Sequence, residues 1–202
     1  PGSIFSLFGQ SRAAISNLAS ILPLPRELGQ VKVMMGGVPV PLFYAGAGQV
    51  NGQVPTELAP GRTTSLLVTV GGVAAPPDEI TLTTVQPGIF TVDQSGGGQG
   101  AILNKDGQLV DSARPAAAGD ILQVFCTGLG ATTPAVVSGT AAPGDPPAVV
   151  NNPVTATIGG MNAPVHFAGL APGYVGLYQV NVQVPAGVAP GIAVPLVLTQ
   201  AG

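Results

Sequence analysis

Three features of the sequence predict an all-β fold. The chain of 202 residues holds 30 glycines and 21 prolines, which favour turns. Hydrophobic residues nevertheless make up 46% of it, and a disordered chain lacks so much apolar content. The third feature is an internal repeat that divides the chain into two copies and a segment between them. A chain of 202 residues has room for two immunoglobulin-like sandwiches, which typically have about 100 residues each. The sequence therefore predicts two tandem immunoglobulin-like β-sandwiches joined by a hairpin-containing segment.

The repeat consists of three matched blocks that keep their order. The matched pairs are residues 2–9 with 119–128, 36–46 with 159–169, and 49–55 with 179–185. In the third pair, QVNGQVP recurs as QVNVQVP, and Pro-Gly follows each copy at the same distance. Three blocks in one order predict a first sandwich at residues 1–84, a connecting segment at 85–117 and a second sandwich at 118–202.

The third block has the alternation of a strand. Val50 and Val54 share one face, because successive side chains in a strand point to opposite sides. The other face carries Gln49, Asn51 and Gln53. We expect the valines to be buried and the amides to point outward.

Glycine pairs and prolines mark the turns and the edges. Alternating runs end at Gly36-Gly37 and at Gly159-Gly160, which predicts tight hairpins with positive φ. Asp106-Gly107 predicts a further hairpin within the connecting segment. Pro195 cannot donate a backbone hydrogen bond, so the last strand is predicted to lie at a sheet edge or to carry a bulge.

Two stretches depart from the strand pattern. Residues 11–22 have apolar side chains at helical spacing before Pro23, which predicts a short helix or helical loop. Residues 131–152, rich in Pro, Ala, Thr and Gly, predict an extended loop.

The residues that could carry chemistry are isolated from one another. His166 is the single histidine and aligns with Phe43 of the first half, and Cys126 is the single cysteine, predicted to be a buried residue at the end of a strand. The glycine-rich run at 96–100 lacks the lysine of a phosphate-binding loop. Asp106 and Asp111 lie in turns that could ligate calcium, but no Asp-x-Asp pattern accompanies them. The sequence therefore predicts no catalytic, cofactor-binding or metal-binding residues, and no enzymatic activity.

Charge and aromatic content narrow the classes of partner. Only 7% of residues are charged and the net charge is −3, with six Lys and Arg residues spread singly, so no basic patch for nucleic acid is predicted. No apolar run approaches the ~20 residues of a membrane helix, so membrane insertion is not predicted. Tryptophan is absent and there are three tyrosines, which disfavours sugar binding by ring stacking.

A succession of short motifs resembles one bacterial family. The motifs are Pro87–Phe90 (PGIF), Asn104–Gly107, Arg114-Pro115-Ala116, Gly119-Asp120, Thr127–Gly130, Ile158–Gly160, Ala168–Gly173 and Gly176–Asn181. In this order they resemble the uncharacterised C-terminal domain family named for Solibacter, and each half resembles an immunoglobulin-like TIG domain. The resemblance implies an exported bacterial protein and assigns no activity. Gly52 departs from it, since the second copy has Val182 and the family usually has a large apolar residue there.

These observations predict a non-catalytic, extracellular structural protein or assembly module, secreted or held at the cell surface. Strand-like sequences at residues 3–8 and 192–199 carry no charged side chain, and the chain has two lysines, the residues that most often protect strand edges. We therefore expect a homo-oligomer or a fibre or layer joined through strand edges. The alternative is a ligand-binding module of a larger exported protein, for surface glycans or for protein adhesion.

Overall fold

The computed structural model describes residues 1–9 and 16–201. These residues form short strands joined by turns, as the all-β prediction requires. The strands before residue 85 are β1 (Ile4–Phe8), β2 (Asn17–Leu18), β3 (Val31–Met35), β4 (Val38–Pro39), β5 (Leu42–Ala45), β6 (Gln49–Gln53), β7 (Arg62–Val70), β8 (Val73–Ala74) and β9 (Asp78–Leu82). The later strands are β10 (Gly88–Ile89), β11 (Ile102–Leu103), β12 (Ile121–Thr127), β13 (Thr132–Thr133), β14 (Val149–Val150), β15 (Val154–Ile158), β16 (Met161–Ala163), β17 (Val165–Leu170), β18 (Tyr178–Gln183) and β19 (Leu196–Gln200). The described part of the chain has no helix of a length and apolarity that would span a membrane.

The first half places two antiparallel sheets on one core. One sheet has the order β1-β6-β5-β2, and the other has the order β4-β3-β7-β8, with β9 also paired to β7. Both contribute side chains to one buried cluster, such as Val50 from the first sheet and Val33 and Leu66 from the second. Two sheets that share one apolar layer form a β-sandwich.

The second half repeats this arrangement around a separate cluster. One sheet has the order β10-β12-β18-β17-β14-β13, with β11 also paired to β12, and the other has the order β16-β15-β19. Val124 and Val180 from the first sheet and Ile158 from the second belong to one buried cluster.

The strand registers of the two halves are equivalent. Ile4 lies opposite Gln53 in the first half, and Ile121 lies opposite Gln183 in the second. Register shifts also fall at matching places, at Phe43 between Leu42 and Tyr44 and at His166 between Val165 and Phe167. The sequence repeat is therefore a repeat of strand pairing, although the boundaries at residues 84 and 118 stay a prediction.

Several local predictions are confirmed. Both glycine pairs have positive φ, from 57° to 80° in the first and from 58° to 79° in the second. Gly107 has φ of 72° in a turn that leads to a bridge between Leu103 and Leu109. Pro195 precedes β19, an edge strand. Val50 and Val54 are buried.

Three predictions need correction. Residues 16–22 contain strand β2 in place of a helix, because Asn17 and Leu18 pair with β5; the rest of the predicted helix lies outside the described residues. Residues 131–152 include the short strands β13 and β14. Gln53 does not point into solvent: it is 3% exposed, because the second half of the molecule covers it.

Candidate functional site

The two halves differ in which strand edges are covered. In the first half, β7 pairs with β3 on one side, and β8 and β9 cover its other side. The equivalent strand of the second half, β19, pairs with β15. No strand covers the other side of β19 among the described residues. The outer side of β19 is therefore a free edge.

The strands that begin each half, β1 and β12, show the opposite difference: a neighbouring segment covers the outer side of β12 in the second half. The backbone of Phe125 in β12 is paired on its outer side: its amide donates to Ala101 O (3.2 Å), and its carbonyl accepts from the amide of Phe90 (3.0 Å). The equivalent residue of β1 is Phe8, which is 78% exposed. Within the described residues no strand pairs with the outer side of β1. Its first residue, Ile4, donates its amide to Thr127 Oγ1 of the second half (3.0 Å).

One stretch of chain, residues 72–103, covers both protected edges. Gly71 and Gly72 have positive φ and turn the chain back along β7, so that β8 and β9 pair with it. The chain then continues into β10 and β11, which pair with β12. Among the described residues, β1 of the first half and β19 of the second are therefore the edge strands whose counterparts in the other half are covered by this stretch.

The free edge of β19 borders a groove whose walls combine aliphatic side chains with polar groups of Thr91, Gln99 and the glycine backbone. Its volume is about 660 Å³, and it lies between β19 and the segment that carries β10 and β11. The walls include Ile89, Ile102, Val194, Leu196 and Leu198, which pack against the core, and no aromatic residue lines it. Residues 96–100, the glycine-rich run, form part of its rim. Both free strands lack charged side chains, so neither edge repels another strand electrostatically.

A polar contact joins the two halves. The side-chain oxygen of Gln53 accepts from the amide of Gly139 (2.7 Å), and its nitrogen donates to Gly2 O (3.3 Å). Gly139 has φ of 82°, and a Cβ there would lie 3.1 Å from Pro41 Cβ, so the close approach of this loop to the first half requires glycine. The amide of Leu24 donates to Gly139 O (2.8 Å).

Ser138 is the centre of the same contact. Its hydroxyl donates to Glu57 Oε2 (2.6 Å) and accepts from the amide of Thr56 (2.7 Å), while Arg26 Nη2 donates to Ser138 O (3.1 Å). Burial raises the pKa of Glu57, but the hydrogen bonds from Ser138, one within its own residue and the charge of Arg26 lower it by more. The net pKa lies below the ordinary value, so Glu57 stays ionised at this contact.

No family model, curated protein or solved structure matches this chain. Within the chain itself, the two halves share strand registers and differ in which edge strands are covered.

The residues that sequence analysis considered for chemistry lie apart. His166 is exposed and its Nε2 lies 3.2 Å from Gln183 Oε1. Cys126 is buried in β12, as predicted, and burial raises the pKa of its thiol to about 12. Burial, followed by the neighbouring Cys126, raises the pKa of Tyr178, whose hydroxyl donates to Gly130 O. Cys126 therefore presents no thiolate near neutral pH, and the thiolate is the nucleophilic form of cysteine.

The candidate calcium ligands have other partners. Asp106 accepts from Lys105 Nζ (2.8 Å), and Asp111 accepts from Arg114 Nη2 (3.2 Å). Among the described residues, His, Cys, Asp and Glu form no group of three or more that could hold a metal ion.

Proposed function

We infer that this protein is a non-catalytic, extracellular assembly module that associates with copies of itself through the free edges of β1 and β19. The observation that carries this inference is the complementary coverage of the two halves. Each copy has one free edge at the start of its first half and one at the end of its second half.

Strand addition supplies the chemistry of such a contact. A free edge offers backbone donors and acceptors that pair with a second strand, and alternate side chains of that strand reach the neighbouring core. β1 and β19 carry neither charged residues nor proline within their bounds, so neither has the usual protection of an edge. A contact between unlike edges leaves both outer edges available for further copies, so it propagates without closing.

The charge-poor surface and the resemblance to exported bacterial modules support an extracellular location. The absence of aromatic residues from the lining of the groove disfavours a glycan-binding module, which commonly stacks sugars on rings.

Association is tested by blocking each edge with a lysine. Ser6→Lys on β1 and Val197→Lys on β19 alter exposed side chains, so the sandwiches should fold normally. We expect the unaltered protein to form oligomers that grow with concentration in sedimentation velocity, and fibres or layers in electron microscopy. Each variant alone should stay monomeric, because one of its two edges is blocked.

Mixing the two variants gives the sharper result. Ser6→Lys retains a free β19 and Val197→Lys retains a free β1, so the mixture should form a one-to-one dimer and nothing larger. Val73→Lys on β8, a strand that is exposed but outside both free edges, is the matched control and should assemble normally. The inference would be contradicted by a protein that is monomeric at every concentration, or by variants that form the same oligomers as the unaltered protein.

A further inference from the structure

We propose that the groove beside residues 192–196 is a binding site for an extended segment of a partner polypeptide with aliphatic side chains at every second position, the pattern of β9. This site is adjacent to the free edge of β19 and does not require self-association. Its occupant is identified by what lies on the equivalent part of the first half.

The equivalence follows from the strand registers. Val31 pairs with Val70 and Val154 pairs with Gln200, so residues 62–66 of β7 correspond to residues 192–196. In the first half, β9 pairs with that part of β7, with Leu82 opposite Arg62 and Asp78 opposite Leu66. In the second half, no described strand pairs with residues 192–196.

The uncovered segment is not a strand before Leu196, and residues 192–193 form a turn. β7 spans nine residues, whereas β19 spans five and begins at Leu196. Ile192, the counterpart of Arg62, is 97% exposed. Leu66, which pairs with Asp78 of β9, is buried in the core, while its counterpart Leu196 is half-buried. In the part of the chain that the structure describes, the second half therefore lacks both the strand pairing and the inward aliphatic side chains that β9 gives to the first.

The side chains of β9 show what the groove should accept. Ile80 and Leu82 point inward, where Leu82 belongs to the core cluster and Ile80 packs against it. Thr81 lies on the opposite face, with its hydroxyl 3.1 Å from that of Thr63. A segment bound in the same way would place its inward side chains in the groove, next to Val194, Leu196 and the residues of β10 and β11. A segment with an aliphatic residue at every second position would fill this space. Its backbone would pair with residues 192–196 as that segment becomes extended, like residues 62–66 of β7.

The probe is a synthetic peptide with the sequence of residues 76–84, which contains β9. A fluorescent form should bind the full chain saturably in a polarisation assay. A peptide with Ile80→Asp and Leu82→Asp should bind at least about tenfold more weakly, because it loses the burial of two aliphatic side chains. Binding that is absent, or equal for both peptides, would overturn the proposal.

Cross-linking tests the register. Ala193 is exposed and corresponds to Thr63, the neighbour of Thr81. With oxidised glutathione as the two-electron oxidant, Ala193→Cys should therefore form a disulfide with a peptide that carries Thr81→Cys at least about tenfold faster than with one that carries Ile80→Cys, because pairing raises the effective concentration of the facing thiol. The native Cys126 is buried and does not compete.

The first half supplies the control. In Thr63→Cys the introduced thiol lies beside the protein's own β9, so the same peptide should react slowly. Equal rates at Thr63→Cys and Ala193→Cys, or at the two peptide positions, would overturn the proposal.

The two proposals can fail independently. If the peptide does not bind while the mixture of Ser6→Lys and Val197→Lys still forms a dimer, the binding site is wrong and self-association stands. If the peptide binds in register and the protein is monomeric, the binding site stands and self-association is wrong.

Discussion

Val180 lies at the centre of the core of the second half. It is fully buried, opposite Val124 on β12 and Ala168 on β17. An aspartate there has no hydrogen-bonding partner in this apolar layer, so Val180→Asp should lower the free energy of unfolding by about 3 kcal/mol or more. Denaturant unfolding measures this change.

The neighbouring residue is the matched control. Asn181 lies on the other face of β18, where its side-chain oxygen accepts from Gln179 Nε2 (2.8 Å). Asn181→Asp keeps an acceptor at that place and should be close to neutral in stability. Equal losses for both variants would show that the burial of Val180 does not set the difference.

Single residues also show how far sequence reasoning extends. Alternation predicts that Val50 is buried, because a half-buried strand orders its faces locally. The same alternation predicts that Gln53 points outward, which is wrong, because its burial arises from contact with Gly139, 86 positions away in the sequence. Contacts between the halves depend on how two folded units meet, and no local pattern encodes that. The sequence therefore does not predict the contact between the halves.

At the level of strands, the larger side chains around position 52 explain why glycine is found there and valine at the equivalent position 182. A Cβ at Gly52 would lie 2.7 Å from Val40 Cγ1 and 3.0 Å from the ring of Phe5. The second half has the smaller residues Leu122 and Ala163 at the positions of Phe5 and Val40, and it has Val182 at the position of Gly52. The two halves therefore distribute similar volume differently between β1, β5, β6 and the β3–β4 hairpin.

This exchange of volume predicts a rescue. Gly52→Val alone should cost about 1–3 kcal/mol of stability, since it overpacks a closed core. Adding Phe5→Leu and Val40→Ala opens the space and should recover most of that loss. Thermal or denaturant unfolding of the single and triple variants measures both steps, and a triple variant less stable than Gly52→Val would refute the compensation.

The short strand β2 shows where pattern recognition fails for an element. Leu18 and Leu22 have helical spacing, but an isolated helix of about twelve residues is marginal in water. Pairing of Asn17 and Leu18 with β5 satisfies their backbone groups at a sheet edge instead. The sequence predicts the edge positions better, because Pro195 and the lack of charge in residues 3–8 and 192–199 are visible in it. Which edges are covered was not visible, since it depends on the path of residues 72–103.

At the scale of the whole molecule, Glu57 makes the contact between the halves sensitive to acid. Its folded pKa lies below the unfolded value of 4.5, so it stabilises the folded state above that pH, and the stabilisation is lost as the pH falls through the folded pKa. The thermal midpoint of the unaltered protein should therefore fall more steeply than that of Glu57→Gln between neutral pH and about pH 3.

Ser138→Ala provides the control for this prediction. It removes the hydroxyl that donates to Glu57 and should abolish most of the difference in pH dependence. Parallel pH profiles for the unaltered protein and Glu57→Gln, measured by calorimetry, would show that Glu57 does not contribute.

The contact at Gln53, Ser138 and Gly139 also has a geometric consequence. It fixes the orientation of the first half relative to the second, and therefore the angle and distance between β1 and β19 within one copy. If each copy joins the next through these edges, every addition repeats the same rotation and the same rise. Such a chain has helical symmetry with a constant pitch, whereas modules on a flexible tether would give a bending thread with no fixed repeat.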